Sequence, residues 1–303
     1  MIGLEKLPAS ASGSALSGGS LAPVKDEDAV SPAASGPLRE RVHRSWWNRN
    51  GRGATIWGLR ILVLALFLAL WQVLSGPVLD KTFLSRPSEI LERLAEWIGD
   101  GTLLRHSLIT LKEILLGFVI GAAVGALVGY VLASLSVVYE VLDPFMMALY
   151  SIPKVALAPL FIVWFGIGLE MKVILAAVSV FFLVFLNTAA GVREVDRGLI
   201  DAVRLMGGST WDVIRKVVLP HSTGGVLTGL KVAIPYALIG AVIGELVASN
   251  QGLGYLINDS VSQFDIAGVF AAVAVLTVLA AVLNLIVGTV STRLNKWKPS
   301  ADA

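Results

Sequence analysis

The residue types that usually carry chemistry are sparse in this chain, and their spacing rules out most reactions. The three histidines, His43, His106 and His221, stand far apart and show no i, i+4 pairing that could hold a metal ion. There is no cysteine, which excludes disulfides and thiolate metal sites. Neither a His-Glu-x-x-His helix nor a Gly-x-Ser-x-Gly elbow occurs, so intramembrane hydrolysis has no motif to rest on. A Gly-x-x-x-x-Gly-Lys-Ser/Thr phosphate loop is also absent, so the chain has no sequence means of holding nucleotide phosphates. What remains is electrostatic: Lys154 and Glu245, each inside an otherwise apolar stretch. An uncompensated ammonium at mid-depth in a bilayer costs on the order of 3 kcal/mol or more. Lys154 could therefore draw an anionic substrate into a pathway, pair with Glu245, or snorkel toward water.

The stretches that hold these charges dictate the class of protein. Of 303 residues, 55% are hydrophobic and only 15% charged, and the mean hydropathy of +0.77 lies outside the usual soluble range. Windows of about 19 residues pick out six runs able to cross about 30 Å of hydrocarbon as helices. They fall near Ile56 to Ser75, Leu108 to Leu135, Pro144 to Phe165, Lys172 to Val192, Val226 to Ala248 and Ile266 to Val290. An even number leaves both termini on one side. Basic residues set which side: Arg39, Arg41, Arg44, Arg49, Arg52, Arg60, Arg193, Arg197, Arg204, Arg215, Lys216, Arg293, Lys296 and Lys298 flank one face. Only Lys81, Arg86, Arg93, Arg105, Lys112 and Lys172 lie toward the other, so the termini are expected to be cytoplasmic.

Residues 1–38, rich in Ala, Ser, Gly and Pro, are expected to form a disordered cytoplasmic tail, and residues 39–55 a basic flank. No apolar core with a basic region before it opens the chain, so a cleaved signal peptide is not expected. The six-helix domain should run from 56 to 298 and leave a short tail, 299–303. Between the first two runs, Ser88 as N-cap, apolar Ile90, Leu91, Leu94 and Ile98, and a stop at Gly99 and Gly101 predict a short external interfacial helix. Gly117, Gly121, Gly125 and Gly129 repeat every fourth residue, a pattern that lets a second helix backbone approach closely. Pro153 and Pro159 should break the third run, and Pro235 lies within the fifth. Interior prolines free carbonyls that protein or a water-lined cavity must satisfy, so these two runs are the candidates for lining a pathway. In "SNQGLGYLINDS", Gly252 and Gly254 permit a tight re-entrant turn, read either as an external gate that touches a partner or as an ordinary outer loop.

The segment "DAVRLMGGSTWDVIRKVVLP" (201–220) is charged, yet it lies between apolar runs. Asp196 can cap a helix with Leu199, Ala202, Val203 and Met206 on its buried side, ended by Gly207. Ser209 with Asp212 in a capping box can start a second helix that buries Ile214, Val217 and Val218, closed by Pro220. The expected product is a preformed cytoplasmic helix-turn-helix knob. Resting on anionic lipid through its arginines is the plainer alternative.

From Asp201 the spacing runs Asp201-Ala202-Val203, three residues, Gly207, nine residues, then Val217, Val218, Leu219 and Pro220. This resembles the EAA signature of ABC-importer permeases, with Asp201 for Glu, Val203 for the second Ala and Val217 for Ile. The stretches "SIPKVALAPLFIVWFGIG", "NTAAGVREVD" and "GELVASNQGLGYLI" look like the branch that imports nitrate, taurine and aliphatic sulfonates, over about residues 55 to 298. The resemblance implies an all-α, six-helix type I importer permease in the bacterial inner membrane, with 201–220 as its coupling helix. It implies as partners a second copy of the chain, two ATPase subunits, an external solute-binding protein and the lipid bilayer, with no nucleic acid. No cofactor is expected on this chain; ATP and magnesium would serve the ATPase. The rival class is a carrier driven by an ion gradient, with paired broken helices and acid relays. Glu245 is the one buried acid expected, with no second copy.

Overall fold

The computed structural model describes residues 46–75 and 84–294. The expected tail 1–38, residues 39–45 of the basic flank, Lys81, and the end of the chain with Lys296, Lys298 and residues 299–303 lie outside them. The chain divides into two units, 1–57 and 58–303, with the boundary inside the first helix, α1 (Trp46–Leu74). Among the described residues every extended element is helical. Among the described residues five helices are long and apolar enough to span a membrane, or six where a bent pair is counted as one span.

The short helix α2 (Pro87–Gly99) follows, and its cap differs from expectation. Ser88 sits within the first turn, where its Oγ accepts from Gln72 of α1 at 3.0 Å. The Glu89 carboxylate takes the Arg86 amide at 3.1 Å, so the carboxylate and not the hydroxyl ends the helix. Of its apolar residues only Ile90 is buried, while Leu91 and Ile98 stay exposed.

The core is a sandwich of three helices. α3 (Thr102–Ser134) presents its four glycines to α6 (Leu169–Arg193), which is almost inaccessible from Met171 through Ala189. A Cβ on Gly117 would stand 2.5 Å from the Ala176 Cβ, on Gly125 2.6 Å from the Phe181 carbonyl, and on Gly129 2.7 Å from that of Phe185. On its other side α6 meets α9 (Leu219–Val247) through the same device: a Cβ on Gly240 would lie 2.6 Å from the Ala176 Cα. Lipid tails are as apolar as leucine, so close backbone approach and dispersion bind these helices where the hydrophobic effect cannot. α11 (Ile266–Leu294) completes the set of spanning helices.

The third apolar run does not cross as one rod. α4 (Ser136–Ser151) and α5 (Lys154–Phe165) meet at 88°. The break is at Ile152 and Pro153, both extended, as the residue before a proline prefers. Pro159, expected to break the run as well, lies inside α5 without interrupting it. Pro235 is likewise carried within α9.

Candidate functional site

At one end of the bundle α6 passes into α7 (Arg197–Leu205), whose Asp196 cap accepts the Gly198 amide at 2.8 Å. Gly207, at φ 81°, turns the chain in the left-handed region that disfavours side chains. Ser209 then caps α8 (Thr210–Val213), with the capping box to Asp212 in place. Pro220 does not close this helix. A π-turn, Ile214–Val218, joins α8 to α9 without a break, so residues 210–247 form one continuous helix. Pro220 would clash with the carbonyl four residues back in a regular α-helix, and the wider π-turn just before it relieves that clash. The knob is therefore one short helix and a turn leaning on the foot of a spanning helix.

Its faces also differ from expectation. Ile200 and Val203 turn inward, toward Val192, Val195, Val213, Val217 and Val218. Leu199, Ala202 and Met206, placed on the buried side from their spacing, are exposed, and so are Leu205 and Trp211. The apolar arc of α7 is wider than one core contact needs. One flank packs and the other, with Leu205 at 89% and Met206 at 79% exposure, is left open. Asp201 lies exposed 4.0 Å from Arg204, Val217 is half-buried, and Leu219 and Pro220 are exposed.

At the opposite end stands a buried polar cluster. Glu245, on α9, does not pair with Lys154; it faces the start of α10 (Leu253–Ser262). Three successive amides there have no local cap and are met by distant side chains. Gly252 N–H donates to His106 Nδ1 at 2.9 Å, Leu253 N–H to Thr110 Oγ1 at 2.8 Å, and Gly254 N–H to Glu245 Oε2 at 2.6 Å. Thr110 in turn donates to Glu245 Oε1 at 2.7 Å. These are the orphan donors of a helix start, and a carboxylate suits the positive end of its dipole. Gly252 has φ 106°, and a Cβ there would collide with the Glu245 carboxylate, so the glycine is required twice over. Beside this clasp, Lys172 of α6 forms a buried ion pair with Glu113 of α3 and donates to Ser249 Oγ at 3.1 Å.

Sequence reasoning missed Glu113, Thr110 and His106 here, and counted Lys172 with the outer flank charges. Glu113 falls inside one apolar run and Lys172 at the edge of another, and opposite charges within neighbouring spans are the signal that could have found them.

Lys154 lies at the 88° bend. Its ammonium donates to the Tyr150 carbonyl, freed by the break, and stands 4.4 Å from the Tyr150 ring centroid and 5.4 Å from that of Phe182. Among the described residues it has no carboxylate partner. Pro153 and Pro235 are exposed on this chain, whereas Glu245, Gly252 and Gly254 are buried.

Residues 117–298 match the family model of the binding-protein-dependent transport system inner membrane component. The chain belongs to that family. It is 33% identical over 271 residues to a Bacillus subtilis protein named as an aliphatic sulfonates transport permease, covering 89% of this chain and 98% of that one. It is 34% identical to a riboflavin transport permease of Chloroflexus aurantiacus, covering 79% and 90%. To the taurine transport permease of Escherichia coli it is 30% identical, covering 79% and 89%. Among solved structures, an inward-facing methionine ABC transporter matches with a TM-score of 0.50 at 23% identity, covering 61% of this chain and 91% of that one. An amino acid ABC transporter matches with a TM-score of 0.52 at 18% identity, covering 67% and 97%. The permease is thus the multi-pass inner-membrane subunit of an ABC importer and is not itself catalytic. Membership implies ATPase and binding-protein partners and sets aside the ion-gradient carrier.

Proposed function

We propose that this permease moves a small anion, of the alkanesulfonate, taurine or nitrate class, from the outside to the cytoplasm. In this reading two copies assemble with two ATPase subunits and receive cargo from an external solute-binding protein. The α7 end is cytoplasmic, as are both termini, and the α10 end faces outward. Supporting the orientation, Arg193, Arg197, Arg204, Arg215 and Lys216 cluster at the α7 end. Residues 201–220, with Asp201, Ala202, Val203, Gly207, Val217, Leu219 and Pro220, are the ATPase-coupling segment. ATP-driven closure of the ATPases displaces it and rigid helices carry the motion to the pathway. ATP and magnesium act in the partner. Gly252 and Gly254 shape the outer closure, while Pro153, Lys154, Pro235 and Glu245 belong to the elements around the pathway.

The observation that carries the coupling assignment is the open apolar flank of α7, an exposed patch fitted to a protein partner. The anion assignment rests on Lys154, a cation at a helix break with no carboxylate beside it among the described residues, and on the relatives named for sulfonates and taurine. The test is uptake of taurine and of an alkanesulfonate into proteoliposomes that hold the whole complex. Lys154→Ala should lower uptake at least tenfold while assembly is kept. Unchanged uptake removes Lys154 from the substrate's path.

A further inference from the structure

The α10-end cluster is more than a satisfied interior, because of where its members sit along the chain. α6 begins three residues before Lys172 and ends four residues before α7. It is held on both sides by close glycine contacts to α3 and α9, so a displacement at one end has little room to be absorbed along its length. Its 25 residues span about 37 Å. One end therefore leads into the coupling helix, and the other carries the ammonium that touches the loop between α9 and α10. In that loop Ser249 accepts from Lys172 and donates to the Gln251 carbonyl at 2.6 Å, while Gly252, Leu253 and Gly254 are held by His106, Thr110 and Glu245. The loop borders a cavity of about 770 Å³ that Lys112, Asn250 and Gln251 also line.

We propose that Lys172 is a positioning residue, a hook through which α6 holds residues 248–252, and that Glu245 is the matching clasp on α10. Together they keep the outer mouth closed until a displacement of α7, carried along α6, moves Lys172. Glu113, paired with Lys172, aims the hook. The inference rests on the orientation and the ATP-driven motion proposed above.

The chain has no cysteine, so a single introduced probe meets no background from this chain. Asn250 is exposed. Asn250→Cys in the full chain, assembled with its ATPase in membrane vesicles, is labelled with an impermeant maleimide, with and without ATP and vanadate. Without the hook substitution, trapping should change the labelling rate at least tenfold. Lys172→Met with Glu113→Leu removes the hook together with its ion-pair partner, so neither member of that pair is left alone. Labelling without nucleotide should then rise about tenfold, the scale of one hydrogen bond to a charged group. The further change on trapping should fall below twofold while ATP hydrolysis persists. Glu245→Ala should also raise labelling about tenfold, whereas Glu245→Gln keeps an acceptor for the Gly254 amide and should stay within twofold. Should the double substitution fail to assemble, Ser249→Ala removes the contact of Lys172 with the loop, along with the hydroxyl's own bonds to Gln251, leaves the Lys172–Glu113 pair in place, and should give the same rise. A hook variant that assembles and labels within twofold of the unsubstituted chain overturns the proposal. Labelling of Asn250→Cys from the cytoplasmic side alone would instead overturn the orientation.

Discussion

Leu205 offers the sharpest test of the coupling surface, because it contributes so little to the fold of this chain. Its side chain is 89% exposed at the end of α7. Leu205→Ala removes three carbons, worth about 0.8 kcal/mol each when buried, so about 2.4 kcal/mol if the docked ATPase covers them fully. At about 1.4 kcal/mol per decade, affinity for the ATPase should fall about 50-fold. Stability of the isolated permease should change by less than about 0.5 kcal/mol, as for other exposed substitutions. Titration of the purified ATPase onto detergent-solubilised permease reads the first quantity, and thermal unfolding of the permease alone reads the second. An affinity within threefold of the parent's, at equal stability, refutes the assignment of this face. A large loss of stability would show that α7 packs elsewhere.

The glycine seam gives a contrast between positions. Gly125→Ala puts a Cβ 2.6 Å from the Phe181 carbonyl, a backbone atom that cannot yield alone, and should destabilise the permease by about 1 to 3 kcal/mol in detergent unfolding. Gly58→Ala, with nothing within 4 Å of the new atom, should be neutral or slightly stabilising in the same assay. At Gly207, where space is open but φ is 81°, Gly207→Val should cost about 1 to 2 kcal/mol and weaken ATPase docking. Gly207→Asn, which tolerates that conformation, should retain most of it, so a binding series that ranks Val above Asn would contradict the turn geometry.

The four-residue glycine spacing on α3 was legible because a helix fixes which residues share a face, and it needed no knowledge of the partner. The caps at Asp196 and Ser209 and the turn at Gly207 were legible for the same reason: each is a local hydrogen bond or a local φ. Other readings failed where a local signal met a non-local neighbour. Pro220 reads as a stop, yet the π-turn before it lets α9 run on. Leu199 and Met206 read as core, since periodicity finds an apolar arc but not which flank of it is covered.

Glu245 shows the same limit for charge. An acid in an apolar run demands a partner, and Lys154 was the obvious cation, but nothing in the linear order says which helices lie side by side. The sequence by itself determined that this is a helical membrane protein, that α3 carries a glycine face, and that the chain is capped at Asp196 and Ser209 and turns at Gly207, because these follow from composition and short-range spacing. Only the tertiary structure decided that Glu113 pairs with Lys172 and that Glu245 caps α10 beside Thr110, because these contacts need particular helices to lie side by side, bringing together residues as far apart in the chain as the 135 positions between Thr110 and Glu245.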